Sequence, residues 1–291
     1  MSYRGRFAPT PSGPLHLGSL VAALGSYLDA KLHQGEWLLR IEDVDPPRVV
    51  AGAADAILHT LERYGFEWDG EVCWQSRRQD AYQAALDRLL EAGRVYGCSC
   101  TRKVLLQQAQ RGVEGPVYPG TCRGRKITTG CAWRFQVTAQ RVEFNDVVLG
   151  RVACQLDTEF GDFPLRRSDG VYTYQLAVVV DDAEQGVTHV VRGADLLVST
   201  PRQIALYKAL GYPLPVYMHL PVLLDEAGQK LSKQTLAAPL SDTRPLPALR
   251  QAASFLGLEL PAADSVHDFW AQAIPAWHPT RIRPVRGKKL R

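Results

Sequence analysis

The feature that most narrows the choice of fold lies near the start of the chain, in Arg6-Phe-Ala-Pro-Thr-Pro-Ser-Gly-Pro-Leu-His-Leu-Gly-Ser19. Residues 4–8 read as a short strand. Pro9, Pro11, Gly13 and Pro14 then break regular structure, and from His16 a helical stripe of Leu17, Leu20, Val21, Leu24, Tyr27, Leu28 and Leu32 begins. A strand that feeds a tight loop and then a helix gathers unpaired backbone N–H groups and the positive end of a helix dipole at one point, which suits phosphate. His16 can donate a hydrogen bond to a phosphate oxygen, and Gly18 lets a flat ring or a ribose approach the backbone. Taken alone, the same residues also describe a plain turn with a half-exposed histidine.

The alternation goes on downstream. Residues 37–41 read as a buried strand, and residues 50–64 and 77–92 as helices, with Gly35, Gly65 and Gly93 at helix ends. This β-α-β-α order predicts an α/β protein with a parallel sheet covered by helices. Residues 96–165 interrupt it with a cysteine-rich stretch and short alternating runs at 133–137 and 147–154, read as an insertion with its own small antiparallel sheet. The α/β pattern resumes at residues 174–180, followed by a strand at 189–192, a helix at 200–210 and one strand at 217–224. The expected organisation is a first half of the α/β domain at 1–95, the insertion at 96–165, the second half at 166–240 and a short C-terminal segment at 241–291.

Composition excludes several classes. Hydrophobic residues at 46% and charged residues at 22% do not describe a disordered or collagen-like chain. The longest aliphatic run, residues 176–180, is too short to span a bilayer, and residues 1–10 lack the apolar core of a secretory signal, so a cytoplasmic protein is expected, without a membrane partner. In that compartment the six cysteines point to metal binding or burial rather than to disulfides. Net charge is +4, concentrated at the end: six of the last eleven residues are basic (Arg281, Arg283, Arg286, Lys288, Lys289 and Arg291). Such a tail reads either as a phosphate contact or as a solvated, disordered end.

A second motif, Lys230-Leu-Ser-Lys233, follows the late strand and a turn at 225–228. Two lysines three apart on a loop can reach a triphosphate from the side opposite the first motif and neutralise charge on the α-phosphate and the departing pyrophosphate. Together, His16-Leu-Gly-Ser19 and Lys230-Leu-Ser-Lys233 resemble the two signatures of class I aminoacyl-tRNA synthetases. Arg6 to Gly13, the run Leu39-Arg-Ile-Glu-Asp-Val-Asp45 and Val191-Arg-Gly-Ala-Asp195 are similar to the glutamyl/glutaminyl branch. The resemblance covers roughly residues 4–240 and implies a Rossmann-like, doubly wound catalytic sheet. Fifty-eight residues follow Lys233, too few for the helical anticodon-binding domain of a full glutamyl-tRNA synthetase. The shortened form resembles a queuosine-directed subfamily that activates glutamate without tRNA and attaches it to queuosine in the anticodon loop of tRNA(Asp). A compact synthetase charging a tRNA 3′ end, or a non-catalytic RNA-binding paralogue, are the alternatives.

The resemblance implies roles position by position. His16, Lys230 and Lys233 would act on the reacting phosphates, with His16, Gly18, Ser19 and Lys233 binding ATP as its Mg2+ complex. Arg6 and Arg192 would bind the glutamate carboxylate, Glu42 its ammonium and Tyr174 the amino acid by hydrogen bond, while Phe7, Ala8, Pro9 and Thr10 line the pocket. Gln234, where the family often has Ser, and Ala194, where it often has an acid, are departures. Cys98, Cys100 and Cys122 form a cluster that reads equally as a zinc site or as reduced buried thiols, because three thiolates leave a tetrahedral shell open. The subfamily fills the fourth place with a tyrosine, and Tyr118 matches it, implying one structural Zn2+. Cys73, Cys131 and Cys154 read as core or surface thiols. The family suggests a monomer.

Overall fold

Strand β1 (Arg4–Phe7) runs parallel to β2 (Glu36–Ile41), and helix α1 (Leu17–Leu32) connects them. A parallel pair needs such a crossover, and the apolar stripe of α1 covers one face of the sheet. The computed structural model describes residues 2–101, 103–105, 110–225, 228–230 and 238–289. Beyond β2 lies β3 (Cys73–Trp74), also parallel. On the other side of β1 stands β11 (His189–Gly193): the N–H of Thr188 donates to Arg4 O at 2.9 Å, and Thr188 Oγ1 accepts from Arg4 N at 2.9 Å. Strand β12 (Val216–Leu220) pairs parallel with β11, Val191 facing Met218.

Alternate residues of these strands enter two different cores, as the two-residue period of a strand requires. Val191, Met218 and Leu220 join a core with α1, α2 (Ala53–Arg63), α7 (Pro245–Leu256) and α8 (Val266–Ala276). Val190 and Tyr217 join another with α3 (Gln79–Glu91), α5 (Tyr174–Glu184) and α6 (Thr200–Leu210). The sheet is therefore covered on both faces, as the alternation predicts. Helix α1 lies so close to it that a Cβ on Gly25 would stand 2.4 Å from Leu220 Cδ1. Among the described residues, no helix is long and apolar enough to cross a membrane.

Four local expectations change. Gly35 does not end α1 in a left-handed conformation. Gln34 takes the positive φ, 52°, and Gly35 is needed because a Cβ there would meet Tyr3 O at 2.4 Å. The single strand expected at 217–224 is two, β12 and β13 (Val222–Leu224), separated at Pro221, which has no N–H for a ladder. The insertion is also divided differently. Strands β4 (Val95–Cys98), β7 (Ala132–Phe135) and β10 (Phe163–Arg166) do form an antiparallel sheet, and the stretch also holds a hairpin of β5 (Gln110–Gly112) and β6 (Gly115–Val117) and a one-turn helix α4 (Leu156–Glu159). The hairpin of β8 (Arg141–Asp146) and β9 (Gly150–Gln155) instead extends the β11-β12 sheet through the pair Tyr217 and Asp146. Finally, the basic end is ordered where described: β14 (Gly287–Lys289) pairs parallel with β13, and Lys288 Nζ sits 4.6 Å from the centre of the Phe255 ring.

The C-terminal segment completes the first core rather than hanging from it. Trp277 is fully buried, and its indole N–H donates to Asp29 Oδ1 of α1 at 2.8 Å, while Tyr3 O–H donates to the other oxygen at 2.5 Å. Trp277→Ala is expected to cost about 3–5 kcal/mol of unfolding free energy by denaturant titration, from the cavity and the lost partner of a buried carboxylate. A cost below about 1 kcal/mol would mean that α7 and α8 are not integral to the core.

Candidate active site

His16 is the N-cap of α1. Its backbone is extended, its ring Nδ1 accepts from the N–H of Gly18 at 3.0 Å and of Ser19 at 3.4 Å, and Ser19 Oγ accepts from His16 N at 2.8 Å. The imidazole does what a Ser or Asp usually does at this position. This corrects the expectation of an open first turn, because two of its N–H groups are taken by the ring. With Nδ1 accepting, Nε2 carries the proton, so the turn offers a ring N–H instead.

This turn lines a cleft of about 370 Å³ at the C-terminal edge of the parallel sheet. The chain leaves β1 toward β2 on one side and reaches β11 on the other, so the cleft lies at a topological switch point, where open α/β sheets bind ligands. Arg6, Phe7, Ala8, Pro9, Thr10, His16, Gly18, Ser19, Glu42, Tyr174, Arg192 and Lys230 all line it. Lys230 joins them from the segment that follows β13. It pairs with Leu224 in a short bridge, and its ammonium stands 2.5 Å from Asp195 Oδ2. On the far side of the motif Pro239 pairs with His16, so both flanks of the lysine loop meet the cleft. Lys233 and Gln234 lie outside the described residues.

Below the cleft is a buried charge network. Arg6 grips Asp182 of α5 with Nε at 3.1 Å and an Nη at 3.3 Å, and Arg40 reaches the same carboxylate at 2.7 Å and Glu42 at 3.5 Å. Burial works to raise the Asp182 carboxyl, but Arg40 and Arg6 outweigh it and hold it below its ordinary value. The neighbouring Asp181 takes Gln75 at 2.7 Å, Arg78 at 2.6 Å and Tyr82 at 2.9 Å. Arg192 is fixed by Gln203 Oε1 at 2.8 Å, Thr200 Oγ1 at 2.9 Å, Tyr174 Oη at 3.2 Å and His219 Nε2 at 3.2 Å.

A separate cluster occupies the small antiparallel sheet. The Sγ atoms of Cys98, Cys100 and Cys122 lie within 4.8 Å of one another. Tyr118 Oη is 3.3 Å from Cys98 Sγ and 3.6 Å from Cys100 Sγ, and Cys100 and Cys122 are 3.5 Å apart. The edge of a zinc–thiolate tetrahedron is about 3.8 Å, so these four residues fit one ion. Burial and the neighbouring thiols raise the Tyr118 phenol, so a cation is what would make it a phenolate. The Cys122 thiol falls to about 7: its hydrogen bonds, led by Tyr118, outweigh burial. Cys131 is buried and Cys73 and Cys154 are half-buried, all three as free thiols.

A family model described as tRNA synthetases class I (E and Q), catalytic domain, matches residues 2–244. The chain belongs to this family. A curated relative, the glutamyl-Q tRNA(Asp) synthetase of Chromobacterium violaceum, is 56% identical over 287 residues, which cover 96% of this chain and 95% of that one. The glutamyl-Q tRNA(Asp) synthetase of Neisseria meningitidis serogroup B is 51% identical over 286 residues, 96% and 97% of the two chains. Among solved structures, the glutamate-tRNA synthetase of Elizabethkingia anophelis superposes with a TM-score of 0.81 at 26% identity, over 98% of this chain and 67% of that one.

Within this class I synthetase cleft, sequence reasoning missed Asp181, Asp182, His219 and Asp195. Asp181 and Asp182 close the aliphatic run at 176–180, and two acids following such a run on a helix that is buried almost all round were the available signal. Glu42 was found, but not its titration. Burial lifts its carboxyl from 4.5 to about 6, although Arg40 and Arg6 pull it down. The folded chain thus keeps a proton there that the unfolded chain has released. The resulting stability is present below pH 4.5 and lost as pH rises through about 6. Glu42→Gln removes that loss, so its unfolding free energy relative to wild type should increase between pH 4.5 and about pH 7 in paired denaturant titrations. A difference that is equal at both pH values would assign the titration to another group.

Proposed function

We propose that the chain joins L-glutamate to ATP, forming glutamyl-adenylate without tRNA, and transfers the glutamyl group to the cyclopentenediol of queuosine in the anticodon loop of tRNA(Asp). The observation that carries this reading is one cleft lined together by a histidine-capped helix turn, a lysine, and guanidinium and carboxylate groups. The names of relatives that are more than half identical over nearly the whole chain support the acceptor.

An oxygen of the glutamate α-carboxylate attacks the α-phosphorus of ATP in line, and the bond to pyrophosphate breaks. No side chain acts as nucleophile. His16 Nε2–H and the ammonium groups of Lys230 and Lys233 supply donors where negative charge builds, with Gly18 and Ser19 packing against the nucleotide. Glu42 receives the substrate ammonium, and Arg192, Tyr174 and the Nη1 edge of Arg6 take the side-chain carboxylate. A neutral amide in its place would leave guanidinium charge poorly paired, which favours glutamate over glutamine. In the second step a queuosine hydroxyl attacks the mixed anhydride and AMP departs. The base must be splayed out of its loop to reach the cleft, as single-stranded RNA is usually read.

The test is pyrophosphate exchange with glutamate and ATP but no RNA, followed by labelling of tRNA(Asp) with and without queuosine. Exchange without RNA and labelling of the queuosine-containing tRNA alone are expected. Equal labelling of both would give the function to a 3′-end synthetase, and no exchange would leave an RNA-binding paralogue.

Cys98, Cys100, Cys122 and Tyr118 would hold one Zn2+, a structural ion joining the end of β4 to the segment at 118–122 within the insert. Elemental analysis of the purified chain should find about one zinc, lost in Cys100→Ser. A metal-free wild-type chain would reduce the cluster to buried thiols.

A further inference from the structure

Arg192 depends on a residue that does not touch the cleft. His219 lies in the middle of β12, fully buried, with Nε2 3.2 Å from Arg192 Nε and 3.1 Å from Thr200 Oγ1, and Nδ1 2.6 Å from Asp146 Oδ2. Asp146 ends β8 and is itself buried. Its oxygens accept from the backbone N–H of His219 at 3.1 Å, Val148 at 3.0 Å and Leu149 at 2.9 Å. A carboxylate that receives so many donors is held ionised, and it can only accept from the ring. The proton of the neutral imidazole therefore sits on Nδ1, and Nε2 presents a lone pair. That lone pair is what Arg192 needs, because a guanidinium has only donors. The other tautomer would set two N–H groups against each other inside the protein.

We infer that His219 is a positioning residue for the amino acid. Oriented by Asp146, it fixes the Nε edge of Arg192 so that the opposite edge, at Tyr174, faces the substrate. The inference rests on the proposed glutamate site. The groups facing His219 are Asp146 from β8, Arg192 from β11 and Asp195 from the turn after it, with Thr200 of α6 neutral and Tyr217 stacked at 6.1 Å on the same strand. The balance of these groups keeps the ring neutral: burial, and to a smaller degree Arg192, oppose its protonation more than Asp146 and Asp195 favour it. Asp146 lies within the stretch read from sequence as an insertion, so that stretch supports the specificity pocket through this histidine.

The experiment compares wild type, His219→Leu, His219→Gln and Asp146→Asn in glutamate-dependent pyrophosphate exchange, with KM for glutamate, KM for ATP and kcat measured separately. His219→Leu removes the acceptor, and Asp146→Asn allows an amide N–H to face Nδ1 and favours the wrong tautomer. Both should raise the glutamate KM about ten- to a hundredfold, with the ATP KM and kcat within about threefold, the loss expected for a hydrogen bond to a charged group. His219→Gln, whose amide oxygen can reach the position of Nε2, should stay within about threefold of wild type. An unchanged glutamate KM in folded His219→Leu, or a fall in kcat at constant KM, overturns the inference. If His219→Leu does not fold, 15N spectra of the wild-type histidines decide: a neutral Nδ1–H ring at pH 7.5 is expected, and an Nε2–H or doubly protonated ring overturns it. Absence of exchange in wild type would reject the proposed function, while the spectra would still judge the tautomer.

Discussion

The grip of two buried arginines on Asp182 organises the molecule. Arg6 comes from β1, Arg40 from β2 and Asp182 from α5, so one carboxylate joins two neighbouring strands to the helix beneath them. Each ion alone would be too costly to bury, and removing one partner from such a pair typically costs about 3–5 kcal/mol. The pairing fixes more than stability. It sets the position of Arg6 and, through Arg40, of Glu42 in the lining of the cleft. Asp181, one residue earlier, ties the same helix to Gln75, Arg78 and Tyr82 near the start of α3. The two consecutive acids therefore locate the strand ends against the helical layer.

The motif residues were legible because phosphate and carboxylate chemistry leaves short, local traces. A proline- and glycine-rich loop before a helix, paired lysines, and arginines near strand ends can be read in a line of letters. The structure brings His16, Glu42, Tyr174, Arg192 and Lys230 into one space, as that reading requires. What could not be read is pairing between distant segments. Nothing near Asp146 announces that it will orient His219, seventy-three residues away. Nothing in residues 147–154 says that they will extend the main sheet rather than the small one. The same holds for the basic end, whose polar composition suggests solvent while its backbone finishes a ladder with β13.

Local misreadings have similar causes. Gly35 follows a helix and so looks like a cap, but the reason for it is the backbone of Tyr3, thirty-two residues earlier. The helix N-terminus looks open to anions from its sequence, yet the first acceptor of its N–H groups is the imidazole beside it. That change would suit His16 to the phosphate of the proposed site. A ring whose Nδ1 is tied to the helix has a fixed orientation and a fixed tautomer.

The site also carries an unbalanced charge. Asp182 has two guanidinium partners and Asp181 has Arg78 and Arg40, whereas Glu42, among the described residues, has only Arg40 at 3.5 Å within ion-pair distance, and burial outweighs the pull of Arg40 and Arg6, so its carboxyl rises to about 6. A well-paired carboxylate there would stabilise the empty protein but would compete with an arriving ammonium. Leaving Glu42 underpaired makes the folded state less stable at neutral pH, and in the proposed glutamate site it leaves a carboxylate that the protein has not already satisfied. On that proposal an amino acid bound there would restore the balance and stabilise the fold as its occupancy rises. At the other end of the proposed site Arg192 is held by four neutral groups, so an anionic ligand would supply the countercharge that these partners do not.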